Sequence, residues 1–363
     1  MYFTAKVLLA PPAERAAFSD RQAYVCAELS NLAYFRFEGG DTLEQALKIA
    51  EQVFGNDARL QLLKTQLQPL LNASPSAADE GKAALAKILV QAGFALVETF
   101  NNKGTQAFLC TREIPVSATS NKRIAYLVYR GTQPTEFADI KSDISAALRP
   151  VELDGETVFM HSGYLDAFAL VRDDVEFALA GLHHDQLIIT GHSLGGALAA
   201  VTTRLLFPDA NGACYTFGAP PVGAMEVQNG LKTPIYQIVN EIDIVPRLPN
   251  PWWATILKWG LHGLRVALKI TTVYTIFVRN SWEKKLGNFI EGLTRYRHPG
   301  YVSYLEGEPD TARLRFNVSS FDQLGWWLRV VTKRGLRGFG VMAGDHSVEL
   351  YVAKLKANAK GRQ

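Results

Sequence analysis

The sequence predicts an α/β fold in which a mostly parallel sheet is flanked by helices, and three observations predict it. Short apolar runs, IAYLVY, QLIIT, ACYTF and IYQIV, alternate along the chain with longer segments whose apolar residues recur every three or four positions. These runs are apolar on successive residues, as strands buried on both faces must be. The chain has 363 residues, 48% of them hydrophobic and 20% charged. That is enough for a sizeable core, and it excludes a disordered, collagen-like or coiled-coil protein.

The elements follow in order. From about Asp20 to Gly93 the pattern is helical, with TLEQALKIAEQVF, ARLQLLKTQLQPLLNA and DEGKAALAKILVQA as the clearest segments. Residues 1–94 are therefore expected to form an N-terminal helical portion packed on the core, and residues 95–363 the main α/β unit. At Ala95 the period changes. ALVETF and TQAFLCT flank NNKG, whose Asn and Gly predict a hairpin turn. The strand IAYLVY, the helical pattern LDAFALVRDDVEFALAGL, the strand QLIIT, the helix LGGALAAVTTRLLF and the strands ACYTF and IYQIV follow in the alternation that a helix-covered parallel sheet requires. There is no internal repeat and no low-complexity segment.

Cys26, Cys110 and Cys214 are odd in number, far apart and without metal-ligand spacing. They predict no disulfide framework and no zinc site, only three buried small side chains. The apolar run Val7 to Ala10 is too short for a signal-peptide core. The expectation is a cytoplasmic chain, or one exported by a non-classical route.

The clearest chemical feature is GHSLGG, Gly191 to Gly196. A Gly-x-Ser-x-Gly match is a weak signal alone, but here a buried strand precedes it and a helix follows, which puts Ser193 on a strand-to-helix turn. Gly191 and Gly195 permit the tight backbone and leave the serine oxygen open to a substrate. A serine hydroxyl needs a base, and the base needs an orienting acid. In folds built on such an elbow the chain order is serine, acid, histidine. Downstream lie His262, His298 and His346. His346, in GDHSVELY, opens a helix near the C-terminus and is the favoured base, with His298 read as structural. For the acid, IVNEIDIVPRLP offers Glu241 and Asp243 after the strand IYQIV, and Asp243 is favoured because Pro246 and Pro249 fix the loop beyond it.

At this point the chain resembles the class 3 (fungal-type) lipases of the α/β-hydrolase superfamily, over about Tyr24 to Leu355. The matching pieces are YVCAELSNLAYF, VYRGTQ (128–133), FADIKSDI (137–144), MHSGYLDAF (160–168), ITGHSLGGALA (189–199), YTFGAPPVG (215–223), IVNEIDIVPRLP (238–249), HPGYVSYL (298–305) and DHSVELYV (345–352). The resemblance implies the α/β-hydrolase fold, with Ser193 as nucleophile, Asp243 as acid and His346 as base, the same three residues that the chain order selects. It implies an oxyanion hole from the backbone of Leu194 and from Thr132. His192 and His161 belong to family motifs but read as packing or hydrogen-bonding residues. By the same resemblance residues 134–150 correspond to a lid, in which Phe137, Ile140, Ile144 and Leu148 form an apolar stripe at helical spacing. A stable amphipathic surface helix would show the same stripe.

The chain departs from the family in the long stretch between acid and base. Ile244 to Trp282 and Gln323 to Gly344 contain no Asp or Glu, hold nine of the 38 basic residues and carry all six tryptophans. The formal charge of +3 thus hides an acidic remainder of 29 basic against 35 acidic residues. Within the insertion at about 250–297, Lys258, His262, Arg265 and Lys269 form a polar stripe on an otherwise apolar helical pattern beside Trp252, Trp253 and Trp259. Such a segment suits an amphipathic helix in a membrane interface. Packing on the domain as a pocket wall, or a dimer interface, are the alternatives.

The sequence therefore predicts a serine-dependent carboxylic ester hydrolase acting on lipid, an acylglycerol lipase first and a phospholipase A1 second, with a catalytically silent membrane-binding module as the rival from another class. It needs no metal and no organic cofactor. The expected partners are a lipid ester substrate and a membrane or lipid interface, not nucleic acid, and the sequence leaves the oligomeric state open.

Overall fold

The computed structural model describes residues 2–9, 17–35, 77–117, 119–131, 148–247, 295–319, 321–323, 325–326 and 342–361. Helices α1 (Asp20–Leu32) and α2 (Ala77–Gln91) precede strands β1 (Ala95–Asn102), β2 (Thr105–Pro115) and β3 (Asn121–Tyr129). A hairpin of β4 (Leu148–Leu153) and β5 (Glu156–His161) leads to helices α3 (Ser162–Ala169) and α4 (Arg172–Ala180). Then come β6 (Gln186–His192), α5 (Leu194–Leu206), β7 (Gly212–Phe217), β8 (Ile235–Asn240), β9 (Tyr301–Glu306), β10 (Arg313–Phe316) and α6 (Val348–Lys360).

Eight strands form one sheet in the order β1-β2-β3-β6-β7-β8-β9-β10. The run from β3 through β6, β7 and β8 to β9 is parallel, and the sheet is extended antiparallel by β1 and β2 on one side and by β10 on the other. Helices cover both faces, which explains the unbroken apolar strands. Ile124, Tyr126 and Val128 of β3 pack in the core shared with α1, α2 and α6, whereas Ala125, Leu127 and Tyr129 of the same strand pack in the core shared with α3, α4 and α5. Strand β7 splits likewise, with Tyr215 and Phe217 on the first face and Cys214 on the second. The three cysteines are buried and free.

Helix α1 starts at Ser19, whose hydroxyl accepts from Gln22 N, and it is buried almost all round because it lies between α6 and the sheet. Ser30 Oγ and Thr190 Oγ1, 3.2 Å apart, tie it to β6. The predicted hairpin is β1–β2, with Lys103 and Gly104 at φ 46° and 90° in its turn. The segments TLEQALKIAEQVF and ARLQLLKTQLQPLLNA lie outside the described residues, and DEGKAALAKILVQA falls in α2.

Two expectations need correction. LDAFALVRDDVEFALAGL forms two helices, α3 and α4, with the chain breaking at Leu170 and Val171. Asn102 Nδ2 donates to Leu170 O (2.7 Å) and Thr105 Oγ1 donates to Ala167 O (3.1 Å), so the β1–β2 hairpin satisfies carbonyls at the end of α3 and the ladder need not continue. The second correction concerns the lid stripe. Leu148 is not on a helix: it opens β4 and pairs with His161. The turn at Asp154 and Gly155, both with positive φ, closes the β4–β5 hairpin and draws Leu148–Leu153 into a strand. Phe137, Ile140 and Ile144 lie outside the described residues, as do Trp252, Trp253, Lys258, Trp259, Arg265 and Lys269 of the insertion. Among the described residues no helix is long and apolar enough to cross a membrane.

Candidate active site

Ser193 stands between the fully buried strand β6 and helix α5 with φ 57° and ψ −129°, a conformation that L-residues avoid and that costs about 1–3 kcal/mol. The surroundings enforce it. Ser193 N donates to Phe217 O (2.9 Å), while Ser193 O accepts from Gly196 N (3.0 Å) and Ala197 N (3.1 Å) and so starts α5. The flanking glycines are steric requirements. A Cβ on Gly191 would collide with the backbone of Gly195, and one on Gly195 would collide with Tyr129 O and come within 2.8 Å of Arg130 C. Leu194 is the first residue of α5, so its N–H has no partner within the helix and lies at the positive end of the helix dipole.

The chain leaving β3 runs beside this turn. A Cβ on Gly131 would lie 3.3 Å from Ser193 Cβ and would collide with Tyr34 Oη and His192 O. Thr132 is the next residue along and lies outside the described residues.

The expected acid and base, Asp243 and His346, meet in the interior. His346 Nδ1 donates to Asp243 Oδ2 at 2.7 Å, with both side chains buried. An ionised carboxylate only accepts, so the proton on this bond belongs to Nδ1, and Nε2 is the basic nitrogen of the ring. Asp243 is held by further donors: Tyr351 Oη donates to Oδ2 (2.6 Å) and Val245 N to Oδ1 (2.9 Å). Burial, with the Asp243 charge adding to it, pushes the Tyr351 phenol well above its ordinary range and keeps it a donor. Gly218, at φ 59°, follows β7 directly; a Cβ there would lie 2.9 Å from Asp243 Oδ2 and 3.0 Å from His346 Cε1. Phe217 O anchors Ser193, and Gly218 makes room for the His346–Asp243 pair. Ser193 follows β6 and Asp243 follows β8, with β7 between them, and the turn before α6 brings His346 to Asp243 although the two are 103 residues apart in sequence.

Two other histidines have supporting roles in this geometry. His192 Nε2 donates to the carbonyl of His346 (2.7 Å), which leaves Nδ1 to accept from Tyr34 Oη (2.9 Å). Burial drives the pKa of His192 well below the usual value, and the neighbouring His346 lowers it further, so His192 stays neutral beside a ring 4.6 Å away, centroid to centroid. His298 Nε2 donates to Pro246 O (2.6 Å), and burial holds its pKa down to about 4. It clamps the loop after Asp243. Arg247 closes the same loop, with Nε on Asp243 O (3.1 Å) and a second nitrogen on Glu241 O (2.6 Å). His161 caps α3, accepting from Tyr164 N (3.3 Å) and stacking on the Tyr164 ring. His262 lies outside the described residues.

Sequence reasoning missed Tyr34, Arg247 and Tyr351. Arg247 stands in the quoted motif IVNEIDIVPRLP and Tyr351 in DHSVELYV, but nothing in their spacing distinguishes a hydrogen-bonding residue from an ordinary core aromatic or surface cation.

Residues 126–252 match the family model described as Lipase (class 3). Among curated proteins, the chain is 28% identical over 181 residues to Toxin TseL of Vibrio cholerae, covering 45% of this chain and 28% of that protein. It is 30% identical over 149 residues to a lipase of Rhizomucor miehei, covering 37% of this chain and 40% of that one. A crystal structure of lipase from Rhizopus microsporus var. chinensis is similar with a TM-score of 0.42 at 20% identity, covering 64% of this chain and 68% of that chain. The chain spans less than half the length of the two curated relatives. The matched residues contain the elbow and Asp243, and the fold brings His346 to them from beyond the matched stretch. Over residues 126–252, about a third of its length, the chain is similar to the class 3 lipase family.

Proposed function

We propose that the protein hydrolyses carboxylic esters of lipids, with Ser193 as nucleophile, His346 as general base and Asp243 as its orienting acid. The observation that carries this reading is the buried His346–Asp243 hydrogen bond beside a serine held in a strained strand-to-helix turn. Ser193 Oγ attacks the ester carbonyl carbon while its proton passes to His346 Nε2. The resulting oxyanion is met by the N–H of Leu194 and by Thr132; loss of one such donor costs roughly a hundred- to a thousandfold in turnover. Collapse of the tetrahedral intermediate breaks the ester C–O bond, and His346 returns the proton to the leaving alcohol. Water, deprotonated by the same nitrogen, then releases the fatty acid and restores Ser193. Asp243 keeps the proton on Nδ1 throughout.

Acylglycerol is the preferred substrate class, in keeping with the relatives whose names include lipase. Phospholipid is the second reading, favoured by the acid-free, Trp-rich stretches that suit a charged membrane surface. The test offers triacylglycerol and phosphatidylglycerol together in mixed emulsions and identifies the released acids by mass spectrometry. The proposal expects fatty acid chiefly from triacylglycerol with the parent chain and none with Ser193→Ala. Release only from the phospholipid would replace the first reading by the second, and equal release by Ser193→Ala would overturn both.

A further inference from the structure

Asn240 is the last residue of β8, three positions before Asp243, and it is completely buried. Its N–H donates to Tyr351 Oη (2.9 Å), the same hydroxyl that donates to Asp243 Oδ2. Its side-chain Nδ2 donates to the carbonyl of Asp345 (2.8 Å), the peptide that leads directly into His346. Its Oδ1 accepts from Lys354 Nζ (2.6 Å). The amide orientation is fixed by chemistry, since an ammonium only donates and a carbonyl only accepts.

Lys354 is an unusual residue for its place. It is 4% exposed, on the face of α6 that also buries Tyr351, Leu355 and Asn358, where a helix packed on a sheet carries apolar residues. Glu241 Oε1 lies 3.9 Å from its ammonium, and Asp345, Glu306 and Glu308 add to the negative field around it. A buried ammonium is costly and a leucine would seat the helix, so the charge calls for a specific reason. Its short, charge-assisted hydrogen bond goes to Asn240, which touches both the peptide before His346 and the hydroxyl on Asp243.

We propose that Lys354 is a positioning residue of the ester-hydrolysing site: through Asn240 it fixes the peptide carrying His346 and, with Tyr351, the carboxylate of Asp243. The inference rests on the function proposed above. Lysine places a charged donor group where β8, α6 and the His346 loop meet, and the His346–Asp243 contact inherits its geometry from that junction.

The experiment measures kcat and KM for p-nitrophenyl butyrate, and the low-field proton resonance of the His346–Asp243 hydrogen bond, in the full chain. Lys354→Met keeps the length of the stem and removes the donor. It is expected to lower kcat by roughly ten- to hundredfold, as small misplacements of catalytic groups do. KM should stay within about twofold, because substrate contacts are untouched. The low-field resonance should shift or broaden. Asn240→Asp covers the case in which Lys354→Met does not fold: it keeps an acceptor for Lys354 but turns a carboxylate on the Asp345 carbonyl, and the same loss of kcat is expected. Parental kcat and an unchanged resonance in either folded variant would overturn the role of Lys354. A parent chain without Ser193-dependent hydrolysis would instead overturn the site reading on which that role depends.

Discussion

Tyr351 shows how much of this site depends on groups that perform no chemistry. Its hydroxyl accepts from Asn240 N and donates to Asp243 Oδ2, so one oxygen links the strand end to the acid. Tyr351→Phe leaves the ring in place and removes that link. Leaving a buried acceptor short of a donor costs about 1–3 kcal/mol, to be read as a lower urea midpoint. A fall in kcat of roughly tenfold with little change in KM is expected from a carboxylate that is held less well. Parental kcat in the folded variant would show that Val245 N and His346 suffice to place Asp243. Ser193 and Asp243 could be singled out in the sequence because GHSLGG and IVNEIDIVPRLP tie them to local backbone, and His346 because chain order puts the expected base downstream of both. Tyr351, Tyr34 and Lys354 could not, because each acts on a residue far away in sequence and their spacing carries no sign of it.

The loop after β8 is the element that carries Asp243, and His298 and Arg247 both hydrogen-bond to its backbone. His298 gives the loop a pH dependence. Its folded pKa of about 4 lies below the ordinary 6.5, so between these values the unfolded chain takes up a proton that the folded one refuses. Stability therefore falls as pH drops from 6.5 towards 4, by about 3 kcal/mol from this group. His192, also depressed by burial, acts with the same sign. His298→Gln keeps a donor for Pro246 O and removes the titration. Comparing urea midpoints at neutral pH and near pH 4.5, the variant is expected to lose less stability on acidification than the parent, and an equal loss would contradict the assignment. At this scale the sequence was a partial guide. Strand runs were legible because burial on both faces makes them continuously apolar. The break between α3 and α4 was not, because it is imposed by side chains of the β1–β2 hairpin. The β4–β5 hairpin was hidden because Leu148 also fits a helical stripe.

For the whole molecule, the ends of β6 and β8 carry Ser193 and Asp243, and the turn before α6 carries His346, with 152 positions between Ser193 and His346 in sequence. The charge distribution belongs to this scale as well. Reversing Lys258, Arg265 and Lys269 to Glu should weaken flotation with anionic vesicles, since each basic residue near such a surface contributes about 1 kcal/mol; unchanged flotation would remove the membrane role of that segment. The central claim is that Ser193 becomes covalently modified with His346 as its base. Reaction with a fluorophosphonate, followed by peptide mass spectrometry, tests it most directly. The expected result is a single phosphonylated residue, Ser193, with labelling abolished in Ser193→Ala and strongly slowed in His346→Ala. Labelling elsewhere, or labelling of Ser193 at an unchanged rate without His346, would contradict it.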